Sequence, residues 1–128
     1  MPKAEAPKRP PLRDQQRALH AYDAVSGVPS DKQSRVNYKI AVNGLGANIL
    51  RSGLCAALAS VQRLGNRGDV LLGHLASADV PGLQDATAQN LATKVRELDA
   101  DSYMIATREL LQVATWLKRA VQATFEDR

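Results

Sequence analysis

Residues 42–53 read VNGLGANILRSG, three glycines and an arginine in one short stretch. Backbone N–H groups in a glycine-rich turn can cradle a phosphate. The dinucleotide fingerprint, however, needs Gly-x-Gly-x-x-Gly directly after a strand. Here the third glycine position is Ile49, and no strand pattern precedes Gly44. The Gly-Lys-Ser/Thr ending of a Walker loop is missing too. Gly44 and Gly46 instead read as places where another helix or a ligand backbone comes close.

The other reactive side chains are scattered. His20, His74 and Cys55 stand apart in sequence, with no CxxC or HxxxH spacing to hold a metal. They read as surface histidines and a buried thiol. Asp99-x-Asp101 could coordinate a hard cation but falls where a helix needs its N-cap. No GxSxG nucleophile elbow occurs. Lys118-Arg119 reads first as a favourable charge near a helix C-terminus. The residues give no ground for an enzyme, a metal or a cofactor.

What remains is charge. Residues 1–39 carry eight Lys/Arg and four Asp/Glu, residues 40–68 carry Arg51, Arg63 and Arg67 with no acid, and residues 69–128 carry six basic and nine acidic residues. Net charges of +4, +3 and −3 add to the +4 of the chain. Lys32, Arg35, Lys39 and Arg51 fall largely away from the apolar stripe of their helix. Such an arc can track a phosphate backbone without reading bases. A solvated helix face explains it equally well at this stage. Aromatics make up 4% of residues, too few for extensive base stacking.

The elements that must position these residues are all helical, because apolar residues recur in steps of three and four and period-two alternation is scarce. The chain of 128 residues suits one domain. Residues 1–9 form a proline-rich basic arm expected to be disordered, and residues 10–128 the helical domain. Pro10 and Pro11 open a first helix that runs to about Val25 and buries Ala18, Leu19, Ala21, Tyr22 and Val25. Ser30, with Gln33, caps a second helix with its stripe at Tyr38, Ala41, Val42, Leu45 and Ile49. Leu54, Ala57, Leu58, Val61 and Leu64 form another stripe, rotated by roughly 140° from the previous one. One straight helix cannot bury both against a single core, so a break is expected at Ser52-Gly53.

Residues 64–68 read as a turn, and Asp69 as the cap of a short helix through Leu75 and Ala76. Val80-Pro81-Gly82 interrupts, and a further helix is expected from about Gln84 to Leu98. Asp99 caps the last helix, which carries its stripe from Tyr103 through Ala106, Leu110, Val113, Ala114, Leu117 and Val121 to Phe125. The expected fold is an all-α bundle of about six helices. No stretch reaches the roughly 18 apolar residues of a membrane span. The single cysteine and the lack of a secretory signal core point to the cytoplasm.

Trp116 lies off that stripe, beside Ile105 and Gln112 with Arg108 and Arg119 adjoining. Two explanations stand. Either the last helix is central and buried on both sides, or Trp116 and Arg108 anchor a partner protein, as tryptophan and arginine often do.

The order of several short elements resembles the small subunit of the Cmr complex, the type III-B CRISPR–Cas RNA-guided effector. These elements are Tyr38-Lys39, Leu45-Gly46-x-x-Ile49 and Ser52-Gly53-Leu54, then Tyr103, Ala106-Thr107-Arg108-Glu109 and Trp116-Leu117-Lys118-Arg119. The resemblance spans about residues 12–125 and departs from the family pattern at Gly46 and Ser52. It implies a non-catalytic subunit whose copies stack head to tail beside the repeated backbone subunits, with a basic face along guide and target RNA. On that basis Arg17, Lys39, Arg51, Arg63, Arg67, Lys118 and Arg119 are the candidates for RNA or filament contacts. The alternative is a free-standing DNA-binding module of helix-turn-helix type, although Ser52-Gly53 is shorter than the usual turn.

Overall fold

A computed structural model describes residues 12–125 and contains six α-helices and no strand among them. The expected basic arm, the Pro10-Pro11 helix start and the last three residues lie outside that range. α1 spans Arg13–Ser26, α2 Lys32–Ser52, α3 Leu54–Gln62, α4 Asn66–Ala76, α5 Leu91–Arg96 and α6 Ala100–Thr124. α6, about 37 Å long at 1.5 Å per residue, is the central helix, with α1 and α2 packed along its two flanks. Both run antiparallel to it. Asp14 meets Trp116 while Arg17 meets Glu109; Arg35 stacks on Phe125 while Gly53 lies beside the Tyr103 hydroxyl.

The second helix buries Tyr38, Ala41, Val42, Leu45 and Ile49, the stripe read from its sequence. Its cap is Asp31 rather than Ser30. The Asp31 carboxylate accepts from both the backbone N–H (2.9 Å) and the hydroxyl (2.8 Å) of Ser34. A carboxylate also suits the positive end of the helix dipole better than a hydroxyl does. The break falls where expected. Gly53 adopts φ 93° and ψ 164°, a region open essentially to glycine alone. This one residue turns the chain so that the α3 stripe of Leu54, Ala57, Leu58 and Val61 meets the same core. The Tyr103 hydroxyl braces the corner by accepting from the Cys55 N–H at 3.1 Å.

Three further expectations fail for identifiable reasons. Leu19 and Tyr22 are 64% and 42% exposed, because α1 is an edge helix whose core face is only Arg17, Ala21 and Val25. α4 starts at Asn66 after Gly65 (φ 62°), not at Asp69. Gly68 is therefore not a turn residue but a close approach. A methyl there would sit 2.5 Å from the Val61 carbonyl oxygen. Finally, residues 84–90 are not helical. Thr87 and Asn90 cross-bond, the Thr87 N–H to Asn90 Oδ1 at 2.7 Å and the Asn90 N–H to the Thr87 hydroxyl at 3.3 Å. These bonds offer the backbone an alternative to the helix, which is confined to α5.

Candidate nucleic-acid and partner interfaces

Arg17 must be withdrawn from the surface candidates. It is 6% exposed, donates through Nη1 to the Ala78 carbonyl and through Nη2 to Glu109 Oε1 at 2.7 Å. Glu109, equally buried, also pairs with Arg13 Nη1 at 2.8 Å. Burial pushes the Glu109 carboxyl up, but the hydrogen bonds and charges of Arg17 and Arg13 outweigh it and hold the group below its ordinary value. The triad ties α1, α6 and the segment after α4 together. Sequence reasoning misses Glu109, although a signal exists: it sits between Ala106 and Val113 in the register of the apolar stripe.

The remaining cations divide by place. Lys39 is half-buried one turn beyond Arg35 on α2. Arg67, in the first turn of α4, borders a small cleft with Ser34, Asn37 and Tyr38. Lys118 lies two turns before Phe125, and Phe125 receives the Arg35 guanidinium at 4.8 Å. Lys39, Arg67 and Lys118 thus lie in the half of the bundle where α2 begins and α6 finishes. Arg63 closes α3 and is exposed. Arg51 is exposed in the last turn of α2, about 18 Å along the axis from Lys39. Throughout α2, α3 and the start of α4 there is no Asp or Glu from residue 32 to residue 68.

Arg119 and Trp116 face elsewhere. α6 is central, yet its outer side stays open between α1 and α2, so neither simple reading of the tryptophan is complete. Trp116 is half-buried, donates Nε1–H to Asp14 Oδ1 at 3.1 Å, and carries the Arg119 guanidinium over its ring at 4.9 Å. A groove of about 400 Å³ runs beside it, with Leu111 and Thr115 on the floor and Arg13 on the α1 wall. Arg108 is exposed on the same side of α6, two turns earlier.

The lone reactive residues also differ from expectation. Cys55 is exposed, not buried, because α3 turns its neighbours Leu54 and Leu58 inward. The histidines are half-buried rather than on the surface. His74 Nδ1 lies 2.8 Å from the Tyr38 hydroxyl, and His20 Nε2 lies 3.2 Å from Ser77 Oγ. Burial, with a smaller contribution from His20, lowers the His74 pKa to about 4, and burial likewise raises the Tyr38 hydroxyl. Among the described residues no three His, Cys, Asp or Glu side chains converge as a metal site, and no helix is long and apolar enough to cross a membrane.

The family model for CRISPR-associated protein Cas_Cmr5 matches residues 13–124. The chain belongs to the Cmr5 family. It is 33% identical over 115 residues to the CRISPR system Cmr subunit Cmr5 of Thermus thermophilus, covering 90% of this chain and 97% of that one. The crystal structure of a Cmr5 family protein from the same organism superposes with a TM-score of 0.79 at 31% identity, covering 91% of this chain and all of the other. The resemblance to the Cmr small subunit and the all-α fold both hold. The motif residues that carried it have physical duties. Leu45 and Ile49 fill the core and Gly53 with Tyr103 makes the corner. Gly44 and Gly46, by contrast, are not the close approaches expected, since a methyl would meet nothing nearer than 3.9 Å at the first and 3.7 Å, to Leu111 of α6, at the second.

Proposed function

We propose that this Cmr5 chain is a non-catalytic small subunit of a type III-B Cmr RNA-targeting complex in the cytoplasm, with the other Cmr subunits as its partners. Its copies stack head to tail beside the repeated backbone subunits and lay a cationic side along guide and target RNA. Trp116 and Arg108 contribute to partner contacts. The observation that supports the RNA role is the acid-free stretch from Lys32 to Gly68, folded into three adjoining helices with exposed Arg51, Arg63 and Arg67. Lys39 and Lys118 extend the set, Arg119 belongs with Trp116 to the partner side, and Arg17 is excluded.

Such a side attracts phosphate by counterion release. The test is target-RNA binding by the assembled complex across a salt series with Arg63→Glu, Arg67→Glu and Lys118→Glu. Each lost phosphate contact shallows the log–log slope by about 0.7 for a single strand. Unchanged binding and slope in all three variants would remove the RNA role. The helix-turn-helix alternative finds no support at Ser52-Gly53, since α2 and α3 meet at Gly53 with no intervening turn.

A further inference from the structure

We propose that the groove between α1 and α6 seats a carboxylate-bearing, partly apolar segment of a neighbouring protein subunit, with Trp116 and Arg119 as its anchors. The inference rests on the reading that the chain works inside an assembly, and adds the place and the chemistry of one contact.

Trp116 is held on two sides before any partner arrives. Asp14 takes its ring N–H at 3.1 Å and Arg119 covers one face of the ring. An aromatic side chain fixed in this way loses little further freedom on binding. The groove beside it, about 400 Å³ with Leu111 and Thr115 beneath, has room for a large side chain or a turn of helix. Farther along the same side of α6, Ile105 is 42% exposed and Met104 63% exposed, so the apolar surface continues past Arg108.

The charges select the occupant. Arg13, Arg108 and Arg119 border this surface. Asp14 is engaged by the Trp116 N–H and Glu109 by Arg17 and Arg13, and Asp101 is exposed one turn of α6 before Ile105, so four arginines (Arg13, Arg17, Arg108 and Arg119) stand against three carboxylates. A guanidinium stacked on an indole spends the face of its plane, not the N–H edge that matches a carboxylate. The surplus is positive, and an acidic side chain complements it. A phosphate strand fits less well, because Met104, Ile105 and the indole gain nothing from it, whereas an apolar residue beside the acid covers them. Symmetric pairing of two copies through this face would set Arg108 and Arg119 against their own equivalents. A foreign segment with an acid beside an apolar residue satisfies both parts, and Trp and Arg are the residues enriched at such anchors.

Trp116 is the only tryptophan in the chain, so 5-fluorotryptophan labelling gives one 19F resonance that reports this groove within a complex of any size. The labelled full chain is measured alone over a dilution series, with an RNA oligonucleotide, and reconstituted with the other Cmr protein subunits. The resonance should hold through dilution and RNA addition and shift on reconstitution. Arg119→Glu, an exposed change checked by its melting curve, should weaken incorporation at least tenfold. Movement with RNA or with concentration alone overturns the inference in favour of a strand or a second copy. Entry into the complex with an unmoved resonance overturns it while the assembly reading stands. A chain that does not enter the complex at all sinks both.

Discussion

Removing the Glu109 carboxylate should be among the most damaging single changes available in this chain, although no surface property is touched. Glu109→Ala leaves the Arg17 guanidinium 6% exposed with the Ala78 carbonyl as its remaining partner. Breaking one side of a buried ion pair in this way costs about 3–5 kcal/mol. For a domain of roughly 110 residues the unfolding entropy is about 0.23 kcal/mol/K, so the melting temperature should fall by about 13–22 °C. Two controls isolate the cause. Arg13, whose side chain is 57% exposed, sits on the rim, and Arg13→Ala should cost no more than about 1 kcal/mol. The double change Arg17→Met with Glu109→Leu removes both charges and keeps the volume, and should be close to neutral. Urea and thermal unfolding followed by circular dichroism give all three values. If Glu109→Ala costs less than about 1 kcal/mol, or the apolar double variant is as unstable as the single one, the buried-charge reasoning is wrong.

Other outcomes can be checked with the same equipment. His74 has a folded pKa of about 4 against 6.5 unfolded, so the unfolded chain binds the extra proton, and stability is lost as pH falls from about 6.5 to 4. Discounted for the partial exposure of the ring, the loss is about 1–2 kcal/mol, and His74→Gln should flatten the urea midpoint over that window. Gly68→Ala forces a methyl against the Val61 carbonyl and should cost about 2 kcal/mol or more, whereas Gly44→Ala, with no contact nearer than 3.9 Å, should stabilise by roughly 0.5–1 kcal/mol. Gly53→Ala should cost about 1–3 kcal/mol through its φ of 93°, readable as a lower urea midpoint.

Most of the fold is legible because the apolar periodicity of α2, α3 and α6 is strong and each helix buries the face it displays. The rotation between the stripes of Tyr38–Ile49 and Leu54–Val61 announces the corner at Gly53 from the letters alone. Local competition is harder to see. Thr87 and Asn90 look compatible with a helix until their side chains are known to reach each other's backbone. Gly65 and Gly68 are alike in sequence, yet one turns the chain and the other admits a neighbouring carbonyl.

The candidate sites are legible in kind more than in place. A run without acids can be counted from the letters, but which cations share an end of the bundle depends on the antiparallel passage of α2 and α6. Arg17 has the same letter as Arg67, and only the facing Glu109 tells a buried tie from an exposed charge. Trp116 stands out by being off the stripe. Its restraint by Asp14, more than a hundred positions away, depends on how α1 docks.

The corner at Gly53 has a consequence for the electrostatics of the whole molecule. α3 leaves α2 through this one residue, with a tyrosine hydroxyl from α6 bracing the corner and its own apolar stripe seated in the core. The direction in which α3 sets out, and with it the place of Arg63, depends on the two dihedral angles of Gly53, as the core packing of α3 then requires. A position with no charge and no side chain therefore helps set how far Arg63 stands from Arg51, and the spacing of these cations can change with no change to any cation.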